Sequence, residues 1–348
     1  MIALRALDCL EKAHPLVPET LIGPDDWERV CRIAELLPAP PTVGFEIKLG
    51  DEGASADFGV AYQASPESRA LAETRFLAGL PRELQAHPTW RRVQACSLAL
   101  NQSQRSDGAR VRDLWLEFDV DHRWPGTLVP ALFYTLPARS SATWVSHELC
   151  ELLLGTRLPH AVQSHLDGLL RRLPAEASPY QIGIMHSRGD TRIRLYVNLP
   201  PSLPLDGFLS DVGWPGSPDA VAERVAELSP FVRHYGVGID VGERIGPRLG
   251  LECYPSLTHQ PALSDAWAGF LDRLVTVGLC LPAKRDGLKA WPGYTVESLW
   301  WQRIFSRQLW AVKLVVDDAK PIEAKAYFGF VQGWVGPHVS RPTHPRCK

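Results

Sequence analysis

Two arginines and a tyrosine alternate along one short stretch of the sequence, Arg192-x-Arg194-x-Tyr196. In an extended strand, alternate side chains point to the same face, so these three would share one surface. Guanidinium groups are rigid forks of donors that suit phosphate oxygens, and a tyrosine ring beside them can stack on a cation. The stretch therefore predicts a diphosphate-binding surface, with ordinary solvent-exposed strand charges as the alternative.

The same pattern of cation and phenol returns near the end of the chain, at Lys325-x-Tyr327. Lys313, Arg248 and Tyr254 occupy comparable positions in neighbouring alternating segments. Because one strand alone offers too few donors for a diphosphate, we expect these side chains to join the Arg192–Tyr196 surface. The set predicts a substrate-binding site for an anion and a shielded cation.

Two glutamates could accept a proton. Glu46 alternates with apolar residues in Gly44-Phe45-Glu46-Ile47-Lys48, and a carboxylate on such a face could hydrogen-bond an indole or phenol and take its proton. Glu117 is the second candidate, and Trp115 on the same face would contribute to an acceptor pocket. The alternative for Glu46 is a simple ion pair with Lys48 or its neighbours.

The sequence gives no certain cofactor. His147-Glu148 begins a zinc-protease pattern that the following residues do not complete, and Gly236-x-Gly238 lies in a strand pattern rather than at the start of a helix. We interpret these glycines as making room inside the protein. Asp119-x-Asp121 could hold a hydrated Mg²⁺, although paired aspartates near a strand end are more often merely polar. No other metal site is predicted.

Ten alternating segments position these residues, and they come in pairs joined by short turn-rich segments. Such pairs are typical of β-hairpins. The pairs are Thr42–Leu49 with Asp57–Gln63, Asp113–Val120 with Leu128–Leu136, Tyr180–Ser187 with Thr191–Leu199, Tyr235–Val241 with Pro247–Tyr254, and Leu309–Val316 with Ile322–Val331. The spacing of the five pairs indicates an internal repeat.

Helical patterns lie between the pairs, at Asp25–Leu37, Pro66–Leu80, Ser146–Leu153, Pro159–Leu173, Asp219–Leu228 and Ser264–Val277. Tight antiparallel pairs exclude a parallel sheet, whereas ten antiparallel strands can close into a barrel that has no free edge. We therefore predict an α+β fold, a ten-stranded antiparallel β-barrel of five α-β-β-α repeats with its helices outside.

The helices decide which strand face points inward. Apolar strand faces must meet the helices, so the polar and aromatic faces would line a lumen wide enough for a ligand. The alternative is an α+β sheet with helices on one face and these polar side chains in solvent.

Composition narrows the class of protein further. The chain has 348 residues, of which 45% are hydrophobic, and a formal net charge of −2. We expect a single domain over 1–348, with no nucleic-acid partner because no basic block is present. The seven scattered cysteines are typical of free thiols in a reducing cytoplasm, and no apolar run of about 18 residues predicts a membrane span. We expect a monomer or a homodimer.

The repeat and its motifs resemble the ABBA-fold aromatic prenyltransferases, which include the fungal dimethylallyltryptophan synthase type and the cyanobactin peptide prenyltransferases. The segment 191–197 resembles the R-x-K-x-Y strand that holds diphosphate in the fungal branch, and Glu323–Phe328 resembles its K-x-Y-F strand. Phe45–Lys48 is similar to the first strand, in which a glutamate contacts the acceptor ring. The resemblance in architecture covers nearly the whole chain.

This resemblance implies an aromatic or peptide prenyltransferase. Its partners would be an allylic diphosphate and an aromatic small molecule or peptide, and Glu46 would take a proton from the acceptor ring. The sequence departs from the family pattern where Asp57–Val60 lacks the usual arginine and where Pro130 replaces an expected lysine, which shifts the expected phosphate contacts to Arg248 and Lys313. The alternatives are a non-catalytic barrel that binds a hydrophobic ligand or peptide, and a cyclase acting on a prenylated substrate.

Overall fold

In the computed structural model, eleven β-strands form one antiparallel sheet. The structure describes residues 5–103, 111–120, 128–137, 140, 142–189, 192–256, 262–298, 302–317 and 320–335. The strands are β1 (Thr42–Lys48), β2 (Ala56–Tyr62), β3 (Asp113–Phe118), β4 (Ala131–Thr135), β5 (Ser178–Ile184), β6 (Ile193–Leu199), β7 (His234–Val241), β8 (Ile245–Tyr254), β9 (Gly293–Ser298), β10 (Gln302–Asp317) and β11 (Lys320–Val335).

Ten of these strands close into a barrel. From β1 to β8 each strand pairs with the next, β10 pairs with both β8 and β11, and β11 returns to β1. Strand β9 pairs with the first part of β10 and lies outside the ring. The predicted closed antiparallel barrel is therefore confirmed, because the five predicted hairpins supply all ten of its strands.

Helices separate the hairpins, as the repeat predicts. They are α1 (Ala6–Ala13), α2 (Pro24–Ala34), α3 (Pro66–Ala72), α4 (Thr74–Gly79), α5 (Arg82–Gln85), α6 (Pro88–Ser103), α7 (Ala142–Trp144), α8 (Cys150–Leu154), α9 (His160–Arg172), α10 (Leu205–Asp211), α11 (Pro218–Val225), α12 (Asp265–Thr276) and α13 (Pro282–Ala290). A π-helical turn, Val145–Leu149, joins α7 to α8. Each predicted helical segment contains a helix, and α1, α5, α6, α7, α10 and α13 were not predicted.

Apolar strand faces point outward against these helices. On β1, Val43, Phe45 and Ile47 are buried, and the ring of Phe45 lies 6.0 Å from Trp27 of α2. On the next hairpin, Phe118 lies 6.2 Å from the buried Trp90 of α6. Burial of this layer stabilises the fold by about 25 cal/mol per Å² of apolar area. The same alternation leaves the polar face of each strand for the lumen.

Three details differ from the prediction. The first strand of the third hairpin ends at Ile184, because the chain turns at His186–Arg188 into Gly189, whose positive φ of 62° suits glycine. Strand β10 begins at Gln302 rather than near Leu309, and β9 was not predicted. Thr191, predicted to open the second strand of the third hairpin, lies outside the described residues.

None of the described helices is long and apolar enough to cross a membrane. The six described cysteines are all free thiols, and five of them are buried.

Candidate functional site

The barrel encloses a cavity of about 400 Å³. Every residue predicted to act in catalysis or substrate binding except Arg192 lines it, namely Glu46, Trp115, Glu117, Arg194, Tyr196, Arg248, Tyr254, Lys313, Lys325 and Tyr327. Their common location follows from the alternation of the strands, because each occupies a position whose neighbours along the strand face the helices. Whether these residues bind substrate stays a prediction.

Arg192 lies elsewhere. It immediately precedes β6, its side chain is exposed, and its aliphatic carbons lie close to Gly242 in the turn after β7. Arg192 is not among the residues that line the cavity, so its predicted role beside Arg194 stays a prediction. Arg248 is also exposed, but it lines the cavity.

A lysine ammonium occupies the middle of the cavity. Lys313 Nζ donates hydrogen bonds to Tyr196 Oη at 3.2 Å and Tyr327 Oη at 3.0 Å, and it lies 5.5–5.7 Å from the centres of both rings. No described carboxylate forms an ion pair with it. Burial lowers its pKa, but Tyr196 and Glu46 outweigh burial, so the pKa of Lys313 lies above its ordinary value. Lys313 is therefore a buried cation that forms no direct ion pair with a carboxylate in the described part of the chain.

Three other lumen cations are already paired with carboxylates. Arg194 donates to both oxygens of Asp240 at 2.6 and 2.9 Å. Arg188 holds Asp119 in the same two-point manner, at 2.6 and 3.0 Å, and Ser187 adds a third hydrogen bond. Lys325 Nζ lies 2.5 Å from Glu46 Oε1. We call these six charged residues the charged cluster.

Glu46 is held in its ionised form. Burial alone would raise its pKa, but the charges of Lys313 and Lys325 outweigh burial and move the pKa well below its ordinary value. The hydrogen bond from Lys325 adds to this effect. A carboxylate with a lowered pKa is a weak base, so the geometry suits Glu46 to electrostatic stabilisation more than to proton transfer.

Glu117 and Asp57 differ from Glu46, because their pKa values are raised. Burial, and after it the negative charge of Glu46, raise the pKa of Glu117 to about 8. The same two causes raise the pKa of Asp57 to about 7. Asp57 accepts a hydrogen bond from the backbone N–H of Val120 at 3.0 Å, whereas Glu117 has no hydrogen bond or ion pair with any described residue. Glu117 is thus free to contact a ligand in the cavity.

A second carboxylate is surrounded by phenols. Glu252 Oε2 accepts hydrogen bonds from Tyr180 Oη at 2.5 Å and Tyr254 Oη at 2.7 Å. The ring of Tyr180 also lies 5.8 Å from that of Tyr196. With Tyr327, these tyrosines give the cavity a wall of electron-rich rings, which attract cations.

Two tryptophans form another part of the wall. The rings of Trp115 and Trp310, which we call the tryptophan pair, meet edge to face with centres 5.8 Å apart. Glycine makes this possible, because a Cβ on Gly44 or Gly329 would lie 2.6 Å from the Trp310 ring. Along β1 and β11, the charged cluster and the tryptophan pair therefore occupy successive levels of the barrel.

A β-bulge explains how Trp310 and Lys313 both face inward. The register of β10 against β11 shifts between Leu309 and Ala311. One extra residue reverses the alternation, so even-numbered residues face inward before the bulge and odd-numbered ones after it. Simple alternation over Leu309–Val316 places Lys313 inside but not Trp310.

No group of three or more His, Cys, Asp or Glu side chains suited to a metal ion is present in the ranges described. Asp119 of the predicted Mg²⁺ motif is paired with Arg188, and Asp121 lies outside the described residues.

Sequence reasoning missed several residues that line the cavity, among them Tyr180, Arg188, Asp240, Glu252 and Trp310. Asp240 and Glu252 share the inward alternation of Gly238 and Tyr254, so the pattern held a signal for both. The alternation could not predict that Asp240 pairs with Arg194 or that Glu252 pairs with Tyr180, because these partners lie on other strands.

No known protein-family model matches this chain, and no curated protein matches it.

Proposed function

We propose that this protein is a prenyltransferase, which moves an allylic group from its diphosphate to an aromatic acceptor, either a small molecule or a peptide side chain. The observation that carries the proposal is Lys313, a buried cation that lies between two tyrosine rings and has no carboxylate partner among the residues that the structure describes. A diphosphate oxygen would neutralise this charge, and the rings would shield an allylic cation formed beside it.

The steps of the proposed reaction take place at successive parts of the cavity. The carbon–oxygen bond of the donor breaks, and its electron pair leaves with the diphosphate toward Lys313 and Arg248. A ring carbon of the acceptor, placed against the tryptophan pair, then forms the new carbon–carbon bond. The ring proton passes to the carboxylate of Glu117, while the fixed negative charge of Glu46 stabilises the cationic intermediate.

The test offers dimethylallyl, geranyl and farnesyl diphosphates together with aromatic amino acids and peptides, and it measures diphosphate release and the mass of the acceptor. We expect release that depends on the acceptor. Lys313→Met should weaken donor binding by at least about tenfold, the worth of one hydrogen bond to a charged group. Lys289→Met, at a surface lysine paired with Asp272, is the matched control. Equal donor affinity in wild type and Lys313→Met would contradict the proposal.

One observation favours a second candidate, a non-catalytic barrel that binds a hydrophobic ligand or peptide. Arg188, Arg194 and Lys325 each hold a carboxylate, which reduces the positive charge left for a diphosphate. Calorimetric titration separates the two candidates. A non-catalytic barrel would bind the prenyl alcohol as tightly as the diphosphate and release no diphosphate with any acceptor.

A further inference from the structure

Strand β9 exposes two large apolar side chains outside the barrel. Tyr294 is 68% exposed and Val296 is 43% exposed, which places both among the few exposed large hydrophobic residues of the described chain. They are two positions apart in a strand, so they share one face. On that face they lie opposite Ser306 and Ile304 of β10. We call Tyr294, Val296, Ile304 and Ser306 the platform.

The platform continues the inner wall of the barrel. One row of directly paired residues runs from Thr42 on β1 through Val331 and Ser306 to Tyr294. Thr42 and Val331 line the cavity. Side chains follow the same route, since Gln308 Nε2 donates to Ser306 Oγ at 2.9 Å and Gln308 Oε1 accepts from Trp310 Nε1 at 3.3 Å. A chain lying on the platform would therefore lead to the tryptophan pair.

The opposite face of this sheet extension is partly covered, mainly by α1. Glu297 forms a 2.5 Å ion pair with Lys12 of α1, and Arg307 donates to Thr295 Oγ1 at 3.1 Å. Arg303 lies on this covered face and donates to Cys9 of α1. These contacts fix the orientation of β9, so the exposure of Tyr294 and Val296 is built into the fold.

We propose that the platform binds an extended segment of a peptide acceptor, which pairs with the outer edge of β9 and thereby presents an aromatic side chain to the tryptophan pair. No described strand pairs with that edge, and an open edge beside apolar side chains is a template for one more strand. The platform carries no charged residue, which suits a segment with alternating apolar side chains. The identity of the acceptor rests on the proposed function, whereas the binding itself does not.

The experiment first measures binding without any donor. A displayed library of linear peptides with one fixed tryptophan is selected on the full-length protein, and the Kd of the enriched peptides is measured by fluorescence anisotropy. The variant Tyr294→Thr/Val296→Thr keeps strand propensity but removes the apolar surface, and Leu98→Ala, at an exposed leucine of α6, is the control. We expect the double variant to weaken peptide binding by at least about tenfold, with the control unchanged. N-methylation of alternate peptide amides should weaken binding as well, because it blocks strand pairing.

The outcomes separate this inference from the proposed function. Loss of peptide binding in the double variant, without prenyl transfer to any peptide or free aromatic acceptor, would support the platform and refute the prenyltransferase. Transfer to free aromatic acceptors with no enriched peptide, or with equal peptide affinity in the double variant, would overturn the platform alone. Sedimentation of the wild type and of Tyr294→Thr/Val296→Thr gives a further test. A dimeric wild type and a monomeric double variant would also overturn the platform proposal, because a second copy of the chain would then cover β9.

Discussion

Glu46 and Glu117 line one cavity but differ in charge. Glu46 is ionised and fixed by Lys325, whereas Glu117 has no described partner and a pKa of about 8. A carboxylate with a higher pKa is the stronger base once it has lost its own proton, and Glu117, unlike Glu46, is not tied to a described lysine. Glu117 therefore suits proton transfer better than Glu46 does. The charge of Glu46 still acts, since it raises the pKa of Glu117.

The two roles predict different pH–rate profiles. Turnover of the wild type should rise with pH through an ionisation near 8, and Glu117→Gln should remove this rise and lower turnover by about 10²–10⁴-fold. Glu46→Gln should instead move the ionisation to lower pH, because it removes a negative charge and frees Lys325. The measurement is kcat against pH for all three proteins. An unchanged ionisation in Glu117→Gln would assign the proton acceptor elsewhere.

Arg194 predicts a large effect on stability. Its partner Asp240 is 5% exposed, so Arg194→Ala leaves a buried carboxylate unpaired. Removing one member of such a pair costs about 3–5 kcal/mol of unfolding free energy, whereas Arg273→Ala, at an exposed pair with Glu227, should cost less than about 1 kcal/mol. Urea unfolding measures both. The double variant Arg194→Met/Asp240→Leu should recover much of the loss, and equal effects of the two alanine variants would contradict the buried pairing.

Which side chains face the lumen could largely be predicted, because alternation is a local property of each strand. The hydrogen-bond and ion-pair partners of these side chains could not be predicted. Arg194 and Asp240 are 46 residues apart, and Tyr180 and Glu252 are 72 apart. Those pairs depend on the register between strands, which the barrel sets and no single strand encodes.

At the scale of elements, helix α13 fastens the loop between β1 and β2. Lys284 is 2% exposed, and its ammonium donates to the carbonyls of Lys48 at 2.6 Å and Gly53 at 2.7 Å. Burial lowers the pKa of Lys284. A buried ammonium is retained here because two main-chain carbonyls accept its hydrogen bonds.

Lys284→Met tests this contact. The variant keeps the length of the side chain but leaves both carbonyls without their donor, so the unfolding free energy should fall by about 1–3 kcal/mol. Amide hydrogen exchange in the loop 49–55 should accelerate together with that loss. Lys289→Met, on the same helix, should leave both quantities nearly unchanged. Equal exchange rates in this loop for the two variants would show that Lys284 does not hold it.

Hairpins were predictable elements because both strands and the turn lie within a short stretch of sequence. The bulge in β10 and the strand β9 were not. The bulge adds one residue without any glycine or proline to mark it, and β9 is a six-residue strand whose large apolar side chains are exposed. Neither feature follows the rule that apolar residues face the helices.

At the scale of the whole molecule, ring closure removes the edges of ten strands and encloses polar side chains. The enclosed carboxyls make folding sensitive to pH, because water solvates them in the unfolded chain and the barrel does not. Asp57 and Glu117 are the two whose pKa values rise furthest toward neutrality, to about 7 and about 8.

The direction of the effect follows from proton binding. Between the ordinary carboxyl pKa of about 4 and these raised values, the unfolded chain has lost both protons while the folded protein retains them. Stability should therefore be greatest below that window and fall as pH rises through it, by about 1 kcal/mol per pH unit for each group. Urea unfolding from about pH 5 to about pH 9 measures the slope. Asp57→Asn/Glu117→Gln, which keeps both shapes and cannot ionise, should flatten it. A slope as steep in the double variant as in wild type would place the titrating groups outside the barrel.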